Sequence, residues 1–447
     1  MEKTSARRAA VISLQRMEKD GRYSNLELDQ AIKKYGLDGA EKGLYTKILY
    51  GVLERMNLLD AIISSVSTRD INLLDSEIRA ILRSGAYQIH FLDKVPVSAA
   101  CNEAVKLAAA RNPGTKGYVN AVMRAVARIK LRDFFENLRK TADDESYISI
   151  KYSVSKKLAT MLISQYGFET VSEMLEAIYD GGQMTALRVN TLKTDAQTLI
   201  SAFENLSCEK SGLCEDIITV SGGFAPKGER HFENGEYFIQ SEPSCLCAKV
   251  LGAKPFDTVI DACACPGGKT FSIAIDMENK GKIFACDIHK NKLSLVKDGA
   301  EKLGIDIAET KELDGRNFES GFEGFADAVL CDVPCSGIGS IAKKPEIRYK
   351  DIEEIKKLPE IQYAILQNNA RYVKPGGVLV YSTCTVNKEE NEAVVKKFIE
   401  NNADFTAVKF DVSDKFKTVS DGIGICFLPS KNCVDGFYIA KFMRKSK

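Results

Sequence analysis

From about residue 236 onwards, short β-branched and apolar runs alternate with amphipathic segments, and most of the runs end beside residues able to do chemistry. The runs are Thr258–Ala262, Lys282–Cys286, Ile307–Lys311, Ala326–Cys331 and Val378–Ser382. Each is too short for a helix and is bounded by turn residues, which predicts buried strands. Helices are expected near Lys269–Met277, Lys290–Leu303, Ile352–Tyr372 and Glu389–Asn401. Strictly alternating strands and helices predict a doubly wound parallel sheet. That architecture confines chemistry to the carboxyl edge of the sheet. Phe405–Phe410 and Gly436–Phe442 are expected to close it as a hairpin at one edge.

The chain ahead of this region reads differently. Apolar residues recur at helical spacing through Ala9–Met17, Leu44–Leu53, Ile78–Ile89 and Ala99–Ala110, so residues 1–140 are expected to be all-helical. Gly36, Gly39, Pro96 and Pro113-Gly114 separate the helices, and the polar run Lys140–Ser146 reads as a linker. Residues 150–235 give a small α+β module of the kind used as an RNA platform. Its helices are expected over Tyr152–Tyr166, Thr170–Ile178 and Ala196–Leu206, and its strands over Ala186–Asn190 and Ile217–Val220. The third region, 236–447, is the sheet domain.

Charge is uneven along the chain. Residues 1–140 hold 24 Lys and Arg against 16 Asp and Glu, whereas the remainder holds 38 against 45. A basic helical region on an acidic body points to a polyanion partner, or simply to solvated helix faces. No apolar stretch approaches the roughly 20 residues of a membrane helix, and the start of the chain has no signal-type apolar segment. Thirteen cysteines of irregular spacing in such a chain read as reduced thiols, so a cytoplasmic location and no membrane partner are expected. Zinc is the rival reading for clustered thiols. The close pairs, Cys245/Cys247 and Cys263/Cys265, have one residue between them rather than two to four, and only three histidines exist. No metal is expected.

Three successive strand ends suggest a cofactor site. The first run leads into Cys263-Ala264-Cys265-Pro266-Gly267-Gly268-Lys269, a glycine turn that lets a ligand approach main-chain N–H groups. It has neither the dinucleotide nor the triphosphate spacing. The second ends at Asp287, placed to accept from two ribose hydroxyls, and the third near Asp314, placed to reach an adenine amino group. Either acid alone could be a helix cap. The ordered set favours an adenosine-type ligand, with S-adenosylmethionine fitting best.

Two further strand ends carry thiols. Cys335 lies in Asp332-Val333-Pro334-Cys335-Ser336-Gly337 and Cys384 in Tyr381-Ser382-Thr383-Cys384-Thr385. Pro334 cannot donate to a sheet ladder, which leaves Cys335 at the sheet mouth. Cys101, Cys208, Cys214, Cys247, Cys286, Cys331, Cys426 and Cys433 are instead expected as buried small hydrophobes. A thiolate and a cofactor site suit methylation of cytosine carbon 5. That carbon is a poor nucleophile until a thiolate adds to carbon 6, and a carboxyl such as Asp332 can share a proton with nitrogen 3. A second thiol could assist as acid or base when the product is released.

These motifs resemble the bacterial 16S rRNA (cytosine-5)-methyltransferase family called RsmB, Sun or Fmu, within the wider NOL/NOP/Sun group. Asp261–Thr270, Asp332–Gly337, Tyr381–Thr385 and Asn387–Asn391 match its motifs. Arg188-Val189-Asn190 matches an Arg-x-Asn signature, and Asp435–Ala440 is similar to its last strand. Residues 1–140 resemble the NusB family of helical RNA-binding domains through Lys94-Val95-Pro96, Asn102–Val105 and Gly117–Arg124. The resemblance implies a multidomain chain: a NusB-like bundle, a small α+β RNA-binding module, and a Rossmann-like α/β S-adenosylmethionine-dependent methyltransferase. It further implies Cys384 as nucleophile, Cys335 as the release residue, cofactor contacts from Cys263–Lys269, Asp287, Asp314 and Asp332, and Lys269 near the target nucleotide. The implied partner is small-subunit rRNA. The same chemistry on tRNA and a non-catalytic RNA-binding assembly factor are the alternatives. Ser241 stands where the family has Asp, and Cys265 where it often has Ala.

Overall fold

The computed structural model describes residues 4–20, 24–180, 184–203, 206–221, 224, 226–433 and 435–446. It divides into two compact units, residues 1–172 with 343–350 and residues 173–342 with 351–447.

The first unit is helical. Its helices Ala6–Asp20, Gly39–Glu54, Ser76–Phe91 and Val97–Arg111 contain the four periodic stretches of the sequence. Their apolar faces, among them Val11, Ile48, Leu49, Val52, Ile81 and Leu82, bury one another in a single core. The polar run Lys140–Ser146 is not a linker. Helices Leu131–Thr141 and Asp144–Lys151 meet across two residues, and Asp143 caps the second by accepting from Ser146 N at 2.6 Å. The helix expected from Tyr152 starts at Lys156, where Ser155 caps it. The excursion 343–350 belongs to this unit through buried Arg348, whose guanidinium donates to Tyr152 O at 2.8 Å.

The second unit holds two sheets. Strands β1 (Thr185–Val189), β2 (Cys208–Lys210), β3 (Ile217–Val220) and β4 (Tyr237–Ile239) form an antiparallel sheet in the order β2-β3-β1-β4. The helix expected over Ala196–Leu206 runs Ala196–Ala202, and residues 204 and 205 lie outside the described ones. The large sheet contains β5 (Thr258–Asp261), β6 (Lys282–Asp287), β7 (Ala308–Glu312), β8 (Ala326–Asp332) and β9 (Val373–Thr383), all parallel. It continues through β10 (Phe405–Ala407), β11 (Thr418–Ser420), β12 (Gly424–Phe427) and β13 (Phe437–Arg444). The order is β11-β12-β13-β9-β8-β5-β6-β7, with β10 on β13. This is the expected Rossmann-like fold with one correction. The sheet is mixed, because β13 runs antiparallel to β9 and lies inside the sheet instead of in an edge hairpin. Strands β11 and β12 were not expected: β11 is exposed throughout and shows no apolar alternation.

Two expected helices are broken. Ile352–Tyr372 divides into Ile352–Ile355 and Leu358–Ala370, since Pro359 is tolerated only in a first helical turn. Glu389–Asn401 begins as the turn Lys388–Glu390 and restarts at Glu392 after Asn391, whose backbone is not helical.

The Arg-x-Asn signature joins the two sheets. Arg188 on β1 is wholly buried, and its guanidinium meets Asp216 at 2.7 Å and Asp276 at 2.8 Å. Asp276 ends the helix Gly268–Asp276 that follows the glycine turn. Exposed Lys249 lies 2.6 Å from both carboxylates. Asn190 donates to Gly235 O and Leu303 O, at 2.8 and 2.9 Å. Removing the buried partner of such a network leaves carboxylates without compensation. Arg188→Ala is expected to lower unfolding free energy by roughly 3 kcal/mol. Lys249→Ala, more exposed, should cost about 1 kcal/mol or less. Urea unfolding of the two variants checks the ranking.

Candidate active site

Register places the site. Strand β8 pairs with β9 so that Asp332 lies opposite Ser382, and with β5 so that Leu330 lies opposite Asp261. The chain runs from β5 out to β6 and β7 and returns as β8 on the other side of β5, so the crevice opens where strand order reverses. The expected strand-end residues gather along this edge.

At β5 the turn closes with Gly267 N donating to Ala264 O at 2.7 Å and Ala264 N donating to Cys286 O at 2.8 Å. Gly267 has φ +114° and a Cβ there would overlap the Phe271 ring, so only glycine serves. Gly268 faces open space up to Gln240 Nε2 at 3.8 Å. Gln240 in turn donates to Gly268 O at 2.9 Å and accepts from Ser272 at 2.7 Å, which anchors the helix behind the turn. Asp287, at the end of β6, accepts from Cys265 N at 3.2 Å and His289 N at 2.9 Å. It caps no helix, since the residue preceding Lys290–Leu303 is His289. Burial and the neighbouring Asp287 push the Cys265 thiol up to about 12, which keeps it protonated. Asp314 meets Arg316 at 2.6 Å, and that guanidinium holds its carboxyl below the usual range. Asn368 and Asn369 both donate to Gly315 O at 2.8 Å and fix this loop.

Lys269 and Asp332 form an ion pair of 2.6 Å. Asp332 also accepts from Ser382 Oγ at 2.8 Å. Burial pulls the Lys269 ammonium down, but the Asp332 carboxylate and the Cys247 and Cys384 sulfurs outweigh it, so Lys269 is held above the ordinary lysine range. The two strand-end thiols face one another, Cys335 Sγ to Cys384 Sγ at 3.1 Å. Both are only half-buried, while Ser336, Thr383 and Thr385 beside them are buried. The Cys384 sulfur, then burial, with Glu390 and Asp332 adding, pushes Cys335 well above the usual thiol range. Cys335 is therefore the thiol that keeps its proton.

All thirteen cysteines are thiols. Of the eight expected as core residues, six are buried, and Cys101 and Cys208 are half-covered. Among the described residues no cluster of three or more His, Cys, Asp or Glu is arranged to hold a metal ion. Among them, too, no helix is long and apolar enough to cross a membrane. In the sequence Asn387–Asn391 stands out only as a motif, and Gln362 carries no signal. The structure puts Gln362, Glu390 and Asn391 directly behind the two thiols.

A Rossmann-like sheet with a glycine turn and strand-end acids at its carboxyl edge defines an S-adenosylmethionine-dependent methyltransferase. The pattern that describes the 16S rRNA methyltransferase RsmB/F family matches residues 248–443, and that of the NusB family matches residues 4–128. The chain is 35% identical to the probable ribosomal RNA small subunit methyltransferase B of Bacillus subtilis (strain 168), with 100% of both chains covered. It is 32% identical to the 28S rRNA (cytosine-C(5))-methyltransferase of Mus musculus over 71% of this chain and 43% of that one. The crystal structure of PH0851 superposes with a TM-score of 0.80 at 26% identity, covering 99% of this chain and 98% of that one. The chain belongs to the RsmB/F methyltransferase family, carries an N-terminal NusB domain, and uses S-adenosylmethionine.

Asp261, behind the turn, is 1% exposed and accepts from Thr270 at 2.6 Å. Burial, with the Asp332 charge adding, pushes its carboxyl up to about 7. The folded chain thus holds this proton more tightly than the unfolded one. The resulting stabilisation is present below about pH 4 and is lost as pH rises through about 7. The full swing is on the order of 4 kcal/mol. Asp261→Asn should flatten this dependence and become the more stable form at pH 8, as urea unfolding between pH 5 and 8 would show. An unchanged pH slope would contradict the assignment.

Proposed function

We propose that the chain methylates carbon 5 of a specific cytosine in small-subunit rRNA through a covalent adduct on Cys384. The observation that carries this reading is the 3.1 Å approach of the Cys335 and Cys384 sulfurs beside the Lys269–Asp332 pair. An isolated structural cysteine needs no second thiol and no ion pair at its side. The names of the curated relatives, which specify small-subunit rRNA in one case and cytosine carbon 5 in the other, point the same way.

The cofactor residues are Cys263, Ala264, Cys265, Pro266, Gly267, Gly268 and Lys269 of the turn, with Asp287, Asp314 and Asp332. They fit the group chemically, since the turn offers main chain without Cβ and the acids suit hydroxyl and amino donors. When bound, S-adenosylmethionine supplies an electrophilic methyl group.

The chain's own residues do the rest. Cys384 thiolate adds to carbon 6, forming a sulfur–carbon bond and pushing the ring's π electrons towards carbon 5. The ammonium of Lys269 and the carboxylate of Asp332 hold a proton at nitrogen 3 and stabilise that displaced charge. After methyl transfer the carbon 5 proton leaves to a base. The electron pair it leaves behind re-forms the double bond and expels the Cys384 sulfur. Cys335 sits at hydrogen-bond distance of that sulfur, with its proton retained, and assists release. The target base reaches the crevice by flipping out of its strand. The NusB domain and the 150–235 module grip the RNA, and the protein works in the cytoplasm.

Bisulfite sequencing of rRNA from cells with and without the gene tests substrate and position together. Loss of protection at one small-subunit cytosine is expected, whereas a change confined to tRNA would move the target. The thiol roles predict an asymmetry. Cys384→Ala should abolish methylation and form no adduct, while Cys335→Ala should accumulate a covalent protein–RNA complex visible on denaturing gels. Equal, adduct-free loss in both variants would sink the division of labour.

A further inference from the structure

Two consecutive buried side chains lie behind the two thiols, and each makes its shorter bonds to the main chain or neighbours of a different one. Glu390 is fully buried, and among the described residues no Lys, Arg or His forms an ion pair with it. Its Oε2 accepts from Ser336 N at 2.8 Å and from Gln362 Nε2 at 2.9 Å. The same Gln362 nitrogen donates to Pro334 O at 3.0 Å. The main chain on both sides of Cys335 is thereby tied to one carboxylate. Asn391, 1% exposed, does the equivalent for Cys384. Its Oδ1 accepts from Thr383 Oγ1 at 2.6 Å and its Nδ2 donates to Thr385 O at 3.0 Å. The break between Lys388–Glu390 and Glu392–Asn401 is what allows both side chains to reach back to the strand ends.

Four contacts couple the two clamps, one of them direct, Thr385 Oγ1 donating to Glu390 Oε1 at 3.4 Å. Ser336 Oγ and Thr385 Oγ1 are 2.8 Å apart, Gly339 N donates to Cys384 O at 3.0 Å, and Asn387 donates to Glu390 Oε1 at 3.1 Å. Gly339 itself lies so close to Gly436 that a Cβ would overlap that backbone. A buried carboxylate without a cation is costly unless its lone pairs are filled, and here hydrogen bonds fill them.

We propose that Glu390 and Asn391 are separate positioning residues for the two steps, Asn391 aiming Cys384 for addition and Glu390, through Gln362 and Ser336, holding Cys335 for release. The inference rests on the thiol roles proposed above. The Glu390 charge also faces Cys335 and opposes loss of its proton.

Near-isosteric Glu390→Gln and Asn391→Asp variants of the full chain separate the two functions. Calorimetric titration with S-adenosylhomocysteine first shows that each variant is folded, with affinity expected within about twofold of the parent because neither residue belongs to the cofactor turn. Single-turnover adduct formation is then measured on target RNA carrying 5-fluorocytosine, whose fluorine cannot leave as a cation, so the adduct persists. Asn391→Asp should slow adduct formation about 100-fold and accumulate no complex on ordinary RNA. Glu390→Gln should form the adduct near the parent rate, lower turnover about 100-fold, and accumulate the covalent complex. Gln362→Met, which loosens the same loop but leaves the carboxylate, should give a milder version of the Glu390→Gln pattern and serves if Glu390→Gln does not fold. The same deficit at both steps in both variants, with cofactor affinity intact, would overturn the inference. Adduct formation by Cys384→Ala would instead overturn the underlying thiol assignment.

Discussion

The catalytic edge depends on the parallel register of β8 against β9. Asp332 stands opposite Ser382, so two loops leave adjacent strands at the same height. Cys335 follows three residues after Asp332, and Cys384 two after Ser382. A one-residue slip would send each strand's side chains to opposite faces and separate the sulfurs. The register is held from both sides. Strand β5 fixes β8, and β13 pairs along β9 from Val378 to Thr383. The antiparallel strands are therefore more than an edge cover, since they clamp the strand that carries Cys384.

Burial and electrostatics then act on the Cys335 thiol. Cys335 and Cys384 both stand at strand ends, both half-buried, within 3.1 Å of each other. Cys335 has carboxylates of Glu390 and Asp332 near it, which penalise a thiolate. Cys384 lies near the Lys269 ammonium and helps to hold that charge. The contact with Cys384 and burial raise the Cys335 thiol most, and the flanking carboxylates add to that. The buried Glu390 thus has a consequence beyond holding a loop.

Much of this could be read from residues alone, for a physical reason. Strands β5 to β9 are short apolar runs with sharp ends, and parallel strands buried on both faces carry that signature strongly. The placement of Lys269, Asp332, Cys335 and Cys384 at one sheet edge was readable because each follows such a run. What escaped was of two kinds. Strand β11 is exposed and lacks apolar alternation, β12 is only four residues long, and the interior place of β13 depends on long-range pairing that no local pattern encodes. Gln362, Glu390 and Asn391 escaped because a buried polar residue on a helical segment looks like a solvated one until the fold covers it. The helix breaks at Pro359 and Asn391 carried signals, a proline and an Asn-rich turn, that periodicity had overridden.

The same logic explains why the family's Arg-x-Asn signature lies far in sequence from the chemistry. Arg188 and Asn190 do not join the strand-end cluster. They fasten the small antiparallel sheet to Asp276 and Leu303, the last residues of the helices that follow β5 and β6. Those helices begin at the cofactor turn and just after Asp287. A platform attached to their far ends is registered against the cofactor edge through two rigid rods, not through a flexible linker. Under the proposed function, RNA held on this sheet would present its base at a fixed distance from the thiols. Placement of this kind is worth orders of magnitude in rate when reacting atoms must meet within about 3–3.5 Å. A wholly buried guanidinium between two carboxylates is a costly fastening, and its geometry specifies one orientation where apolar packing would tolerate several.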